Sequence, residues 1–269
     1  MKKKLITALL VSGLVAGLMA GCGTENTASE VIKVGAVPTP HAEVLELIKE
    51  DLAAAGYELE IVEYNDYILP NVALADGDLD ANYFQHLPYL DDYNAENGTD
   101  LVGVVAVHYE PMGIYAGKTA SLDELEDGAQ VAVPNDSTNE ARALLLLEQE
   151  GLIKLDENAG IQATVNDIVE NPLNLNITEL EAAQAAKSLQ DVDIAVINAN
   201  YAIEEGITDK QIAVEAADSL AADTYANYVV VRAGDEENAK TKALVDAILS
   251  DKVREYINAT YEGAVLPVF

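Results

Sequence analysis

The chain has 269 residues, half of them hydrophobic, with 47 acidic against 15 basic side chains and a formal charge of −32 at neutral pH. A surface of that sign repels phosphate backbones and anionic lipid heads, which excludes nucleic acid as a partner. Length and apolar content suffice for a real core and suit two α/β lobes better than one.

Residues 1–21 read as a leader: Lys2, Lys3 and Lys4 precede an apolar stretch from Leu5 to Ala20, and small residues stand just before Cys22. Met19-Ala20-Gly21-Cys22 resembles a bacterial lipobox, with Met19 where leucine is usual. Plain cleavage would leave an unpaired thiol in an oxidising compartment, so lipid attachment at Cys22 is the expectation. Residues 22–30 are small and polar, a tether. No later run reaches the roughly 20 apolar residues a membrane helix needs.

Order is expected from strand 31–37, followed by helix 41–55 with Val44, Leu45, Ile48, Leu52 and Ala55 on one face and Gly56 as its stop. Strand 57–64, helix 67–76, strand 78–84, helix 86–96 and strand 101–107 follow. Such alternation implies a mainly parallel, helix-covered sheet. A second series opens near 112 with strand "PMGIYAG" and a short helix 121–128, for which Ser121 and Glu124 spell a capping box. Strand 129–134, helix 140–150, strands 176–181, 193–197 and 211–217, strand 225–234 and helices 235–249 and 251–261 complete it. The chain crosses between lobes near 107–112 and again near 223–228, so lobe one comprises 31–110 and 228–269, and lobe two 111–227.

Two features carry chemistry. Arg142, one of three arginines, lies one turn into the helix after "PNDSTN", where free N–H groups and a guanidinium together suit a carboxylate. The residue alone equally describes an ion pair with one of the many acids. "NYFQHLPYL" (82–90) gathers scarce rings, and Phe84 and His86, two apart on a strand, share a face. At the carboxyl end of a strand they could hold an apolar or thioether side chain, although core packing explains them as well. "DGDLDAN" lacks the glycine and the final glutamate of a calcium loop. His41, His86 and His108 could form a metal site only if folding brought them together. No phosphate-binding loop, nucleophile elbow or nucleophile–base pair is legible, so no enzyme and no cofactor are expected.

In "EYNDYILPNVAL", "DANYFQHLPYL", "HYEPMGIY", "VAVPNDSTNEARALLLL", "AVINANYA" and "YANYVVVR" the chain resembles the methionine-binding lipoproteins of bacterial ABC importers, the MetQ/NlpA type. The resemblance runs from about residue 31 to the end. It implies a two-lobed, type II-like periplasmic-binding-protein clamp with two hinge crossings, anchored by lipid outside the cell membrane. L-methionine or a close analogue would be the ligand, and a permease with its ATPase the partner. Carried over by position, Tyr67, Phe84 and His86 would enclose the thioether chain. Arg142 would pair with the carboxylate beside Asn139, and Asn198 and Asn227 would hold the amino and carboxylate groups. A metal-ion receptor and a non-transport surface lipoprotein of the same fold are the alternatives.

Overall fold

The computed structural model describes residues 29–216 and 223–269. The leader 1–21 and Cys22 lie outside the described residues, as does the tether up to residue 28. Glu30 already belongs to the first strand, so the tether expected to reach residue 30 ends sooner.

Two sheets organise the chain. In the first, β1 (Glu30–Ala36) lies between β2 (Tyr57–Glu63) and β3 (Ala81–His86), parallel to both. β4 (Leu101–Tyr109) also belongs to this sheet but does not touch β3; the late strand β12 (Ala226–Arg232) lies between them, antiparallel to each. The two-residue β13 (Leu266–Pro267) closes the edge on β4. The second sheet has β6 (Gln130–Pro134) parallel to β9 (Asn176–Leu180) and to β10 (Ile194–Ile197). β5 (Gly113–Ala116) joins β10 antiparallel, and β11 (Gln211–Val214) joins β5. Each sheet therefore has a parallel trio at one end, β3–β1–β2 and β10–β6–β9, and antiparallel pairings over the rest, near the two places where the chain passes between sheets. A small hairpin of β7 (Lys154–Leu155) and β8 (Ile168–Glu170) fills part of the stretch before β9.

Helices cover both faces of both sheets. On one face of the first sheet pack α1 (Glu43–Leu47), α2 (Lys49–Ala54) and the final pair α8 (Ala239–Ile248) and α9 (Asp251–Tyr261). Leu45, Ile48, Leu52, Leu244, Ile248, Val253 and Ile257 meet Val34, Val229 and Val231 there, all essentially inaccessible. Burial on that scale, at about 25 cal/mol per Å² of apolar surface, makes the last helices part of the first lobe's core. α3 (Leu69–Ala75) and α4 (Leu87–Asn97) cover the other face through Leu74 and Leu90, joined by Leu79 from the connection before β3. In the second lobe, α5 (Ser137–Gln149) packs Leu144 and Leu147 on Val131, Val133 and Val196. α6 (Ala182–Lys187) and α7 (Ala199–Glu204) pack on the reverse face. Among the described residues, no helix is long and apolar enough to cross a membrane.

Two expected helices differ. The one expected over 41–55 begins as an irregular turn at Pro38–Ala42 and breaks at Ile48, whose φ of −95° and ψ of 0° leave the helical range. Its apolar stripe still works, because Val44, Leu45, Ile48 and Leu52 are buried; Ala55 is exposed, and Gly56, at φ 93°, ends α2. The helix expected at 121–128 is a single turn, Leu122–Glu124, and Ser121 makes no capping bond. Leu125 resumes an extended backbone and inserts into the second core, which ends the helix before a capping box can close.

Candidate functional site

The parallel strands deliver their following residues to one place. β3 ends at His86, β4 runs into Glu110, β6 leads to the start of α5, and β10 ends one residue before Asn198. Beyond such carboxyl ends the connections diverge and leave a crevice. β12 arrives from the opposite direction, with Asn227 at its start in register with His86 on one side and His108 on the other. A cavity of about 30 Å³ lies here, and its lining includes Tyr67, Phe84, His86, Asn139, Asn198 and Asn227. These are six of the seven expected site residues; Arg142 is not among them.

One wall is aromatic. The Tyr67 ring lies 5.9 Å from Phe84, 6.1 Å from Tyr89 and 5.1 Å from Tyr201, centroid to centroid. Tyr201 comes from α7, so rings from both lobes meet. Tyr89 donates its hydroxyl to the Tyr67 carbonyl at 3.0 Å, and the Tyr67 hydroxyl donates to Asn200 Oδ1 at 2.6 Å. Burial holds the Tyr67 hydroxyl well above its usual range, so it remains a proton donor.

The opposite pole is polar, and its amide orientations are forced. Asp136 caps α5, accepting from the Asn139 backbone N–H at 3.0 Å and from Asn139 Nδ2 at 2.9 Å. A carboxylate only accepts, so Asn139 turns its oxygen away, and Asn198 Nδ2 donates to it at 2.8 Å. Asn198 Oδ1 is thereby left without a partner among the described residues, as is Asn200 Nδ2. The pole thus offers one free acceptor and one free donor. His86 caps α4, its Nδ1 accepting from the Tyr89 N–H at 3.2 Å, while its Nε2 lies 3.4 Å from Asn139 Oδ1. Burial, helped by the Arg142 charge, lowers its pKa to about 3, so the ring is neutral.

A third cluster was not anticipated. Tyr83 donates its hydroxyl to His108 Nδ1, and His108 Nε2–H donates to Glu110 at 2.6 Å. His41 Nε2 faces two acceptors, Asn227 Oδ1 at 3.0 Å and Glu110 at 3.4 Å, which places its proton on Nε2. Burial lowers His41 to about 4 and His108 to about 3, and raises Glu110 above the ordinary carboxylate value. His41, His108 and Glu110 are the group among the described residues whose ligand atoms could surround a metal, all within 4.8 Å of one another. His86 is not part of it, so the three histidines do not assemble as one site. Ligands on a tetrahedral zinc with bonds of about 2.0–2.1 Å stand about 3.3 Å apart. The 2.6 Å His108–Glu110 contact is a hydrogen bond, and too close for two such ligands.

Arg142 has protein partners of its own. It is buried, but Nε donates to Glu215 Oε2 at 2.9 Å, Nη2 donates to Glu215 Oε1, and Nη2 also reaches the Glu110 carbonyl at 2.7 Å. Its guanidinium lies 4.4 Å from the centroid of the Tyr225 ring. Burial alone would lower its pKa; Glu215 outweighs that and raises it, so the charge is permanent. Arg142 thus stands in an ion pair inside the protein and not on its surface. Glu215 carries no local signal in the sequence, because it lies 73 residues from its partner. Glu110 and Asn200, by contrast, sit inside the stretches "HYEPMGIY" and "AVINANYA", and their signal was position within those motifs.

A larger groove of about 850 Å³ opens between β11, α7 and the α9–β13 turn. The small cavity, not this groove, collects the unpaired amide atoms and the rings.

The model of the NlpA lipoprotein family matches residues 32–269. The methionine-binding lipoprotein MetQ of Bacillus subtilis is 42% identical over 100% of this chain and 99% of its own length. The D-methionine-binding lipoprotein MetQ of Escherichia coli O157:H7 is 43% identical over 98% of each. A nutrient-binding protein from Burkholderia cenocepacia, solved bound to methionine, superposes with a TM-score of 0.84 at 44% identity, over 88% of this chain and all of that one. With a two-lobed fold shared with that structure and the family model spanning both lobes, the chain belongs to the NlpA lipoprotein family.

Proposed function

We propose that the protein is the substrate-binding receptor of an ATP-driven importer, capturing methionine between its lobes and handing it to a membrane permease. The observation that carries this is the two-sided cavity: first-lobe rings on one wall, with Tyr67 backed by Tyr201 of the second lobe, and unpaired second-lobe amide atoms on the other. A thioether contacts ring faces and edges favourably, while the α-amino and carboxylate groups need both a donor and an acceptor. Tyr67, Phe84 and His86 take the side chain; Asn139, Asn198 and Asn227 take the backbone end, with Arg142 supporting from behind Glu110.

Closure follows from where the ligand sits. Only the closed arrangement lets both lobes touch it, so binding draws the equilibrium toward closure. On this reading lobe one is 31–110 with 228–269, lobe two is 111–227, and the crossings between them are the hinge. Nothing in the role requires bond chemistry.

The mature protein is held outside the cell membrane by acyl chains on Cys22, since two chains anchor stably where one is marginal. Calorimetric titration with L-methionine, D-methionine and glutamine tests the receptor: saturable methionine binding is expected, and heats no larger than those of buffer would sink it. For the anchor, Cys22→Ser expressed in a bacterium should leave the membrane fraction; retention there would refute lipidation.

A further inference from the structure

The chain passes from the first sheet to the second through residues 110–112, which belong to neither β4 nor β5. On one flank of this link, Tyr109 pairs with Ala226 and Gly113 with Ile197, and the adjoining Asn227 and Asn198 line the cavity. On the other flank, the same Tyr109 pairs with Leu266 and the same Gly113 with Val214, and these two line the 850 Å³ groove. The link divides accordingly, Glu110 lining the cavity and Pro111 the groove. So does α7: Asn200 lines the cavity, while Ile203 lines the groove and packs on the first core. Cavity and groove are therefore gaps between the same two sheets, on opposite flanks of one fulcrum. On the cavity side the walls touch: Tyr67 donates to Asn200 at 2.6 Å, Ser137 donates to Asp92, and about 30 Å³ stays open. On the groove side about 850 Å³ separates β11 from the turn 260–266. Packed bodies turning about a fulcrum cannot part on both flanks, so opening the cavity must narrow the groove.

We propose that this groove is the stop that limits opening of the lobes, so that the side chains on its walls, Val214 and Ala264 foremost, set methionine affinity from outside the binding cavity. The inference rests on the receptor reading above for its ligand and goes beyond it by placing control of affinity on the far flank of the hinge. The physical link is a population one. Apparent affinity falls with the fraction of free protein that is not in the binding form. Bulk added to the groove excludes open forms, whose groove is narrow, and spares the closed form, whose groove has room. It therefore tightens binding without touching the ligand. Val214 is 41% exposed at the end of an edge strand, so a larger side chain there enters open space and not a packed core. Ala264 stands on the opposite wall, in the turn that leads into β13.

The test uses the full mature chain, kept soluble by Cys22→Ser, with Val214→Trp and Ala264→Trp as wedges. Val169→Trp, 56% exposed on the β7–β8 hairpin and outside the groove, is the control. L-methionine is titrated calorimetrically, and ligand-free and saturated forms are compared by small-angle X-ray scattering. Each wedge should tighten methionine binding by about fivefold or more and compact the ligand-free particle, while the saturated forms coincide with wild type. Val169→Trp should change neither. The chain has no tryptophan of its own, so each variant also carries a single reporter. Methionine should shift the Val214→Trp emission to the red as the groove widens and leave that of Val169→Trp in place. The inference falls if both wedges bind methionine within about twofold of wild type, or more weakly. It falls on the unsubstituted protein alone if methionine does not contract the particle. Should either tryptophan unfold the chain, Val214→Phe repeats the titration with a smaller wedge and the same expected direction. A wild type that binds no methionine removes the receptor reading, whereas the ligand-free scattering of wild type against Val214→Trp still decides this one.

Discussion

Phe84 is 4% exposed and stands 5.9 Å from the Tyr67 ring, an arrangement that selects against polarity more than against length. Glutamine matches methionine in length but would bury an amide beside rings, at about 1–3 kcal/mol, and forgo a sulfur–ring contact of about 0.3–1.5 kcal/mol. Methionine should therefore be preferred by about tenfold to a thousandfold. Phe84→Ala should erode the preference by weakening methionine more than glutamine; competition titrations on both proteins read it, and undiminished selectivity returns Phe84 to core packing. Arg142 also carries a structural load. Its loss leaves Glu215, 11% exposed, with only Tyr109 O–H and the Met112 N–H as donors. Arg142→Ala should cost about 3–5 kcal/mol of stability, of which Arg142→Ala/Glu215→Gln recovers part. Urea titration of the three proteins checks this, and a single variant as stable as wild type would leave Arg142 to the ligand alone. The difference shows what a sequence hides at this scale. Residues read from a local pattern, such as Phe84 and His86 on one strand, were legible. A partner fixed by tertiary folding, such as Glu215 for Arg142 or Glu110 for His41, was not.

Helix α5 shows how an element aims a site. Its cap, Asp136, serves the Asn139 backbone and side chain together, so the signal that starts the helix also orients the amide facing the cavity. Asp136→Ala should destabilise the protein by about 1 kcal/mol, the usual worth of a cap. It should also weaken methionine binding, because Asn139 loses the bond that turns its oxygen toward Asn198. Paired urea and calorimetric titrations distinguish these effects; lost stability with unchanged affinity would confine Asp136 to capping. The "PNDSTN" turn announced this helix clearly in the sequence, since Asp followed by helix formers is a local signal. The stretch 41–55 misled because periodicity records which residues are buried, not whether one helix carries them. Val44, Leu45, Ile48 and Leu52 reach the core on two short helices as well as they would on one. The order of strands in the first sheet was likewise invisible, because nothing local tells β4 that β12 will stand between it and β3.

Across the whole molecule, three neutral histidines lie buried: His41 at about 4, and His86 and His108 at about 3, against an ordinary value of 6.5. The unfolded chain takes up protons below pH 6.5 while the folded chain resists until near pH 4. The depressed values thus leave stability intact above pH 6.5 and remove it progressively as pH falls. By pH 5 each contributes a loss of about 2 kcal/mol. The carboxylates that burial raises, Glu110 and Asp136, act in the opposite sense, as does relief of repulsion among the 47 acidic residues, and the three rings are set against them. Urea midpoints should therefore fall between pH 6.5 and 5, and a flat profile would mean the rings are not held neutral.

The place of β12 bears on how such a molecule comes into being. The hydrogen bond between His41 and Asn227 spans 186 residues, and the strand carrying Asn227 stands between β3 and β4. A chain delivered end-first, from a ribosome or through an export channel, presents β1 to β4 long before the strand that joins them. Pairings across such separations form late and slowly. Until residue 232 is available, β4 has no neighbour on the side facing β3, and the second lobe can fold only as an insert within an unfinished first lobe. The strand that completes the sheet also brings Asn227 between His86 and His108, so a truncated or half-delivered chain cannot display a working pocket. Assembly and competence arrive in the same step.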